Sequence, residues 1–383
     1  MHNFNIEKLK EIGGEYTLTE IKQQPEILLE ILELVKSKKQ ELTLFLNDIV
    51  NDKTRIIFTG AGTSEFVGNA IVNSFLGKNK NAVSIATTDI VSNIEEYISK
   101  DEDVLLVSFA RSGNSPESIA TFNMVSSHSK NAKHLIITCN KDGGLAKQGN
   151  GLKNVYTLTL PERSNDKSFA MTSSYTGMMM AAYLVFSLDE LDKISKEVVN
   201  TSKIIEQNYS NFFDDLIEIA NEDHKRIVFL GSGTFNGIAQ ESHLKVLELT
   251  AGEVTTFFNT PLGFRHGPKS ILNNETIVFF FMNKDEYKRK YDFDLLKELY
   301  SQKQAKKIVV LDYENDKVAM ENCDKYFDLG YKGDINLFLG IAYITIAQLY
   351  AFHKSLFLKK SPDNPWPSGL VNRVVQGVKI HKK

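Results

Sequence analysis

The chain has 383 residues, 42% apolar and 24% charged, a globular balance that excludes a wholly disordered chain and, at this length, makes two domains the expectation. Its 45 basic and 48 acidic residues leave a formal net charge of −3, so nothing in the balance calls for nucleic acid. Two cysteines, Cys139 and Cys323, with no CxxC and no His/Cys cluster, argue against a disulfide framework or structural zinc site and suit a reducing compartment.

Residues 1–50 read as a helical segment. The opening Met1-His2-Asn3-Phe4-Asn5 is followed by charges rather than by the apolar stretch of a secretory signal, which points to the cytoplasm. EILLEILELVKSKKQELTLFL then places apolar residues at helical spacing, with Pro25 near the start. From 51 to 190, RIIFTG at 55–60, VLLVSF at 104–109, HLIIT at 134–138 and NVYTLTL at 154–160 are apolar runs without alternation. Strands buried on both faces look like this. Stretches between them, such as 65–76, have room for crossover helices. TGMMMAAYLVFSL at 176–188 is short of the ~20 residues a bilayer span needs and reads as a buried helix. Residues 191–222 read as a helical linker.

From 223 to 352 the pattern returns. RIVFLGSGTF at 226–235 repeats RIIFTGAGTS at 55–64 at an offset of 171 residues. TIVFFF at 276–281 matches VLLVSF, KIVVL at 307–311 matches HLIIT, and KYFDLG at 325–330 matches NVYTLTL. The apolar stretch 335–352, which contains Asn336, Thr345 and Gln348, matches 176–188 and reads as a second buried helix rather than a membrane span. Matching landmarks in one order indicate a tandem duplication. Strand–helix alternation with right-handed crossovers makes each copy a doubly wound α/β domain on a parallel sheet. Residues 353–383 form a tail whose Pro362, Pro365 and Pro367 exclude regular helix there.

The first strand–helix turn is Gly60-Ala61-Gly62-Thr63-Ser64. Its glycines allow close backbone approach, and a helix N-terminus offers N–H groups to an anion. A dinucleotide fingerprint fails, because Glu65 stands where the last glycine belongs. Gly231-Ser232-Gly233-Thr234-Phe235 is the second copy. Either turn also fits plain helix capping without a ligand. The second apolar run ends in Ser108-Phe109-Ala110-Arg111-Ser112-Gly113-Asn114-Ser115-Pro116-Glu117-Ser118. Ser115 is placed to cap a helix with Pro116 at its first position, and the hydroxyl-rich loop before it describes a phosphate cradle. The matching stretch at 282–292, MNKDEYKRKYD, has no Ser or Gly, so only one copy keeps the cradle. Glu241, Lys245 and Glu248 share one helix face. That spacing fits an exposed ion-pair ladder. It equally fits a proton-transferring carboxylate, since Leu247 and Leu249 flank Glu248. Thr260-Pro261-Leu262-Gly263-Phe264-Arg265-His266-Gly267-Pro268 holds one histidine in an ordered loop, a placement suited to acid–base work near neutral pH.

GAGTS, SGNS, KVLE and FRHGP in this order resemble the sugar isomerase (SIS) domain family, over nearly the whole chain from about residue 30. The tandem pair looks like the isomerase half of glucosamine-6-phosphate synthase. It is closer to the AgaS-type tagatose-6-phosphate ketose/aldose isomerases and galactosamine-6-phosphate deaminases, through ARSGNSPES, SFAMTSS and VNRVVQGV. The resemblance implies two flavodoxin-like SIS domains. It also implies that Thr63 and Ser64, beside Gly62, act with Arg111, Ser112, Asn114 and Ser115 to hold the 6-phosphate and open-chain sugar. Glu248 matches the base that moves a proton between C2 and C1, Lys245 a lysine beside it, and His266 a ring-opening histidine that serves a partner subunit's site. A homodimer or higher homo-oligomer with shared active sites follows. Thr172 and Ser173, in SFAMTSS at 168–174, match a substrate-wrapping segment.

Three departures stand out. The synthase's glutaminase domain has no counterpart. Ala110 replaces a phosphate-loop serine, and Gln376 falls where the synthase has a C-terminal lysine, with Arg373 a substitute cation. His353 also looks family-like, as a structural hydrogen bonder or with a role the resemblance does not define. The expected activity is conversion of galactosamine-6-phosphate to tagatose-6-phosphate and ammonia, with no metal or organic cofactor, no nucleic acid and no membrane. The alternatives are a plain aldose–ketose isomerase, a deglycase of sugar–amine 6-phosphates, and a phosphosugar sensor without catalysis. The presence of both Glu248 and His266 favours an enzyme.

Overall fold

The computed structural model describes residues 6–75 and 81–381. The opening Met1–Asn5 and Leu76, the expected end of the first crossover helix, lie outside the described residues. By its contacts the chain forms two units. The first-sheet unit comprises Glu26–Asp166, Met171–Val198 and Ser368–Lys383, and the second-sheet unit Met1–Pro25, Lys167–Ala170 and Val199–Pro367. This division cuts across the sequential boundaries expected above, because packing rather than chain order defines a unit. In the second-sheet unit, for example, Gln24 Nε2 donates to Gln348 Oε1 at 2.8 Å and Thr17 N donates to Asp363 Oδ1 at 2.7 Å. The helical preface is four helices, Ile6–Ile12, Glu15–Lys22, Gln24–Ser37 and Lys39–Asn47.

In the first-sheet unit β1 (Arg55–Thr59), β2 (Ala82–Ser84), β3 (Asp103–Ala110), β4 (Asn131–Thr138) and β5 (Val155–Thr159) form a parallel sheet in the order β2-β1-β3-β4-β5. Arg55 lies opposite Val104 and Thr59 opposite Ser108, so β3 runs on past the C-terminal end of β1 to Ala110. Ile57, Leu106, Val125 and Ile90 form a core on one face, and Phe58 packs against Phe75, Phe109 and Phe186. The helix Ser173–Val185 is buried along its whole length, as its apolar stretch from Gly177 to Val185 demands.

In the second-sheet unit β6 (Arg226–Leu230), β7 (Thr255–Asn259), β8 (Thr276–Phe281), β9 (Lys307–Asp312) and β10 (Lys325–Asp328) take the order β10-β9-β8-β6-β7. Read from the other edge, this is the same topology. The helix Asn336–Phe357 is long and apolar enough to cross a membrane, but 94% of its apolar window is buried inside the protein. It continues past residue 352, the expected domain end, and residues 358–381 hold no helix. β2 and β7 are additions to the strands expected from sequence. In both sheets the strand order reverses beside the first strand, between β1 and β3 and between β6 and β8. In doubly wound folds the C-terminal ends of the strands at this point open the ligand crevice.

Candidate active site

In the first-sheet unit β1 leads into the Gly60–Ser64 turn, and the helix Thr63–Phe75 begins within it. Gly62 has φ +57°, a left-handed conformation that favours glycine. Thr63 and Ser64 are buried at the helix start, where Ser64 N donates to Ala61 O at 3.2 Å.

The adjacent crossover carries the serine-rich loop. β3 ends at Ala110 and the helix Pro116–His128 starts after Ser115. Ser115 has the extended backbone of a cap (φ −66°, ψ 133°), yet no side chain caps this helix. The Ser115 hydroxyl lies 2.7 Å from that of Ser118 instead. The first-turn N–H groups therefore remain for another acceptor, at the positive end of the helix dipole. A second loop clasps this one. Asn140 Nδ2 donates to Ser112 O at 2.9 Å, Gly144 N to Asn114 Oδ1 at 2.9 Å, and Leu145 N to Gly113 O at 2.8 Å. A Cβ on Gly143 would fall 2.4 Å from Ser112 O, so the close approach requires glycine there. Ser112 Oγ accepts the Asn114 N–H at 3.3 Å.

Arg111, Arg373, Thr172 and Ser173 converge on a residue that sequence reasoning missed. Asp166 is buried, and its carboxylate accepts Thr172 N at 2.8 Å, Ser174 N at 2.9 Å, and the Ser173 and Ser174 hydroxyls at 2.5 Å each. The Thr172 hydroxyl reaches it at 3.4 Å. The hydroxyls of Thr172 and Ser173, the expected substrate binders, give their hydrogens to Asp166, which leaves each of them an acceptor toward any ligand. Their observed work is to fix the start of the helix Ser173–Val185. Arg373 Nε donates to the Asp166 carbonyl at 3.1 Å, and Arg111 Nη2 donates to the Arg373 carbonyl at 2.7 Å. Gln376 lies exposed in the irregular tail. Asp166 stands six residues before the N-cap Thr172, outside the spacing of a helix-cap pattern, so no local motif announces it.

In the second-sheet unit the helix Thr234–Leu249 bears the ionisable ladder. Lys245 Nζ lies 2.6 Å from Glu248 Oε2 and 3.2 Å from Glu241 Oε1. The Lys245 and Glu241 side chains are fully buried and that of Glu248 is 24% exposed, so the solvated-ladder reading is set aside. Burial alone would push the Lys245 pKa down. The two carboxylates outweigh it and hold the ammonium above its ordinary value. Lys245 thus places a fixed positive charge on one oxygen of Glu248, while part of Glu248 stays open to a reactant.

His266 is exposed, in the turn after the short helix Pro261–Phe264. Thr260 Oγ1 accepts Gly263 N at 3.0 Å, and Arg265 and Lys269 on either side of His266 both pair with Glu298. Lys269, and then Arg265, hold the Glu298 carboxyl below its ordinary pKa. Glu298 anchors the histidine loop, and its distance along the chain hides it from motif reading. His353 is buried edge-on to Phe213, 4.8 Å between ring centroids, with its pKa pushed down to about 4 by burial. It belongs to the packing of its unit.

The second copy of the serine-rich loop differs in kind. Asp285 caps the helix Glu286–Gln302, its Oδ1 accepting Lys288 N at 2.9 Å. Behind it the Arg289 guanidinium grips Asp312, with Nη1–Oδ1 at 2.9 Å and Nη2–Oδ2 at 2.5 Å, and reaches Asp316 at 3.0 Å.

Residues 49–188 match the SIS domain. Over 373 residues the chain is 38% identical to D-galactosamine-6-phosphate deaminase AgaS of Escherichia coli O157:H7, covering 96% of each. The crystal structure of tagatose-6-phosphate ketose/aldose isomerase from Escherichia coli superposes with a TM-score of 0.87 at 35% identity, covering 96% of this chain and 97% of that one. A Clostridium novyi NT structure provisionally named as the same isomerase superposes with a TM-score of 0.96 at 43% identity, covering 98% and 97%.

Proposed function

The chain belongs to the SIS-domain family, in its AgaS group, and we propose that it is an enzyme converting D-galactosamine-6-phosphate to tagatose-6-phosphate and ammonia. The observation that carries the reading is the buried Glu241–Lys245–Glu248 ladder, with Glu248 alone partly open. A surface ladder does not need this burial. A proton-transfer carboxylate held in one orientation does.

The serine-rich loop takes the 6-phosphate through the uncapped N–H groups at the start of Pro116–His128 and through Ser112, Asn114 and Ser115. Thr63 and Ser64 contribute from the neighbouring helix start, and Arg111, tied to the tail through the Arg373 carbonyl, adds a positive charge. Binding this remote group positions the reacting carbons. His266, exposed on its anchored turn, assists ring opening in the site of a partner subunit, which makes the working form at least a homodimer. Glu248 then removes the C2 proton of the open-chain amino aldose while O1 is protonated, giving an enolamine. The same proton returned to C1 leaves an imine at C2. Water adds there, ammonia departs and the ketose 6-phosphate remains. Each acid–base step of this kind contributes ~10²–10⁴-fold. A cytoplasmic location accords with phosphorylated substrates.

A second reading, simple aldose–ketose isomerisation of a hexose 6-phosphate that carries no amine, is favoured by the names of the two solved structures. Free ammonia and ketose phosphate, assayed with galactosamine-6-phosphate and separately with glucosamine-6-phosphate, decide between them. Ammonia from the galacto epimer supports the deaminase. No ammonia from either epimer contradicts it, and tagatose-6-phosphate conversion in the same samples then supports the isomerase.

A further inference from the structure

The second repeat has a cleft at its own strand-order reversal. It encloses about 320 Å³, within the range of small-molecule sites. Its walls are Thr260, Pro261 and Leu262 after β7, Ser232 and Gly233 after β6, and Tyr287, Lys288, Tyr291 and Asp292 on the helix Glu286–Gln302; Lys288 is exposed, so its ammonium is free to turn to solvent. Tyr287 and Tyr291 sit edge to face with ring centroids 5.3 Å apart, and their hydroxyls lie 2.7 Å from each other.

Asp292 is 1% exposed. Its Oδ2 accepts Asn283 N at 2.9 Å, while its buried Oδ1 has no hydrogen-bond partner. Folded proteins rarely leave a buried carboxylate oxygen unsatisfied, because its desolvation goes uncompensated. Arg289, one turn away, is committed to Asp312 and Asp316. The helix start is closed to anions by the Asp285 cap. Beside the exposed Lys288, the lining thus combines an orphaned buried acceptor, two aromatic rings and two apolar side chains, and that acceptor calls for a positive donor carried on an apolar body.

We infer that this cleft is a second ligand site, for a small molecule that carries a protonated amine on an apolar ring or chain, with the amine on Asp292 Oδ1 and the apolar part against Tyr287, Tyr291 and Leu262. The cleft contains none of Glu248, Lys245 and His266, although Pro261 and Leu262 belong to the short helix that precedes His266. Burial pushes the Asp292 carboxyl up to about 7; the Asn283 N–H, Arg289 and Lys288 pull against that and Asp312 adds to it. A cationic ligand therefore binds more tightly at pH 8 than at pH 6, where the carboxyl carries a proton.

The test uses three probes with one ring: benzylamine, benzyl alcohol and benzoate, each titrated calorimetrically into the full-length protein at pH 8. Benzylamine is expected to bind at least ~10-fold more tightly than benzyl alcohol, as a charge-assisted hydrogen bond requires, and benzoate not to bind. Asp292→Asn should remove the preference for the amine. Leu262→Trp, at a rim position 45% exposed and so tolerant of change, should block all binding by filling the cleft. Equal affinity for amine and alcohol, unchanged benzylamine binding in both variants, or no benzylamine binding overturns the assignment.

Discussion

In the first repeat the helix Pro116–His128 starts at Ser115, whose hydroxyl turns to Ser118 and leaves the first-turn N–H groups uncapped. In the second, the helix Glu286–Gln302 starts at Asp285, whose carboxylate takes the Lys288 N–H. The two sheets share one strand order, so the difference lies in a few side chains at one turn. An open helix start forgoes a cap worth about 1 kcal/mol and keeps a place for an external anion. A carboxylate cap recovers that stability and closes the place. On the proposed reading, duplication has separated two tasks: the first repeat would carry the anion cradle, while the second holds the buried Glu241–Lys245–Glu248 ladder and an internally neutralised Arg289–Asp312 pair.

The sharpest division is chemical. Glu248→Gln should lower turnover by ~10²–10⁴-fold while leaving sugar-phosphate affinity nearly unchanged, because the cradle lies in the other repeat. Steady-state rates paired with calorimetric binding check this; a parallel loss of affinity would mean that the tasks are not separate. Next is the ion pair. Arg289→Ala leaves Asp312 buried without its partner and should destabilise the protein by about 3–5 kcal/mol. Hydrogen exchange should place that loss in β8 and β9 and spare β1 and β3.

Acid should also act unequally. Burial holds His134, His224 and His353 down at about 4, against an ordinary 6.5. The unfolded chain therefore takes up protons that the folded chain refuses as pH falls from 6.5 to 4. Stability is fully present above 6.5 and declines through that window, by on the order of 3 kcal/mol per histidine. His224 and His353 belong to the second-sheet unit and His134 to the first, so exchange protection at pH 5 should fall further in the second sheet. Equal loss in both would break the comparison. The smallest effect is that of the cap. Asp285→Ala should cost about 1 kcal/mol in urea unfolding and leave phosphate-ester binding unchanged.

The sequence makes much of this legible, and the exceptions have physical causes. β1, β3 and β4 and their counterparts β6, β8 and β9 stand out because strands buried on both faces must be continuously apolar, while the edge strands β5 and β10 are legible by their place in the repeat. β2 and β7 do not stand out. Ala82–Ser84 has three residues, and both are edge strands whose residues are largely half-buried. The ladder is visible as spacing on one helix face, but spacing cannot tell a solvated row from a buried one, and here burial decides its meaning. Asp166 and Glu298 escape because their importance comes from convergence. Asp166 gathers Thr172, Ser173 and Ser174, and Glu298 reaches back across the fold to Arg265 and Lys269. The Ser115 position is legible as a cap, whereas the turning of its hydroxyl to Ser118 is a rotamer choice that no motif records.

That rotamer leads to the most direct test. Ser115→Asp gives the first repeat the cap that the second already has. Two first-turn N–H groups would be occupied and a negative charge placed at the proposed phosphate site. Affinity for galactosamine-6-phosphate, measured calorimetrically beside thermal unfolding, should fall by roughly 100-fold, as loss of two charge-assisted hydrogen bonds predicts. The melting temperature should hold or rise, since a carboxylate at a helix N-terminus is stabilising. Unchanged affinity in the folded variant would contradict the claim that the open helix start of the first repeat is the phosphate site.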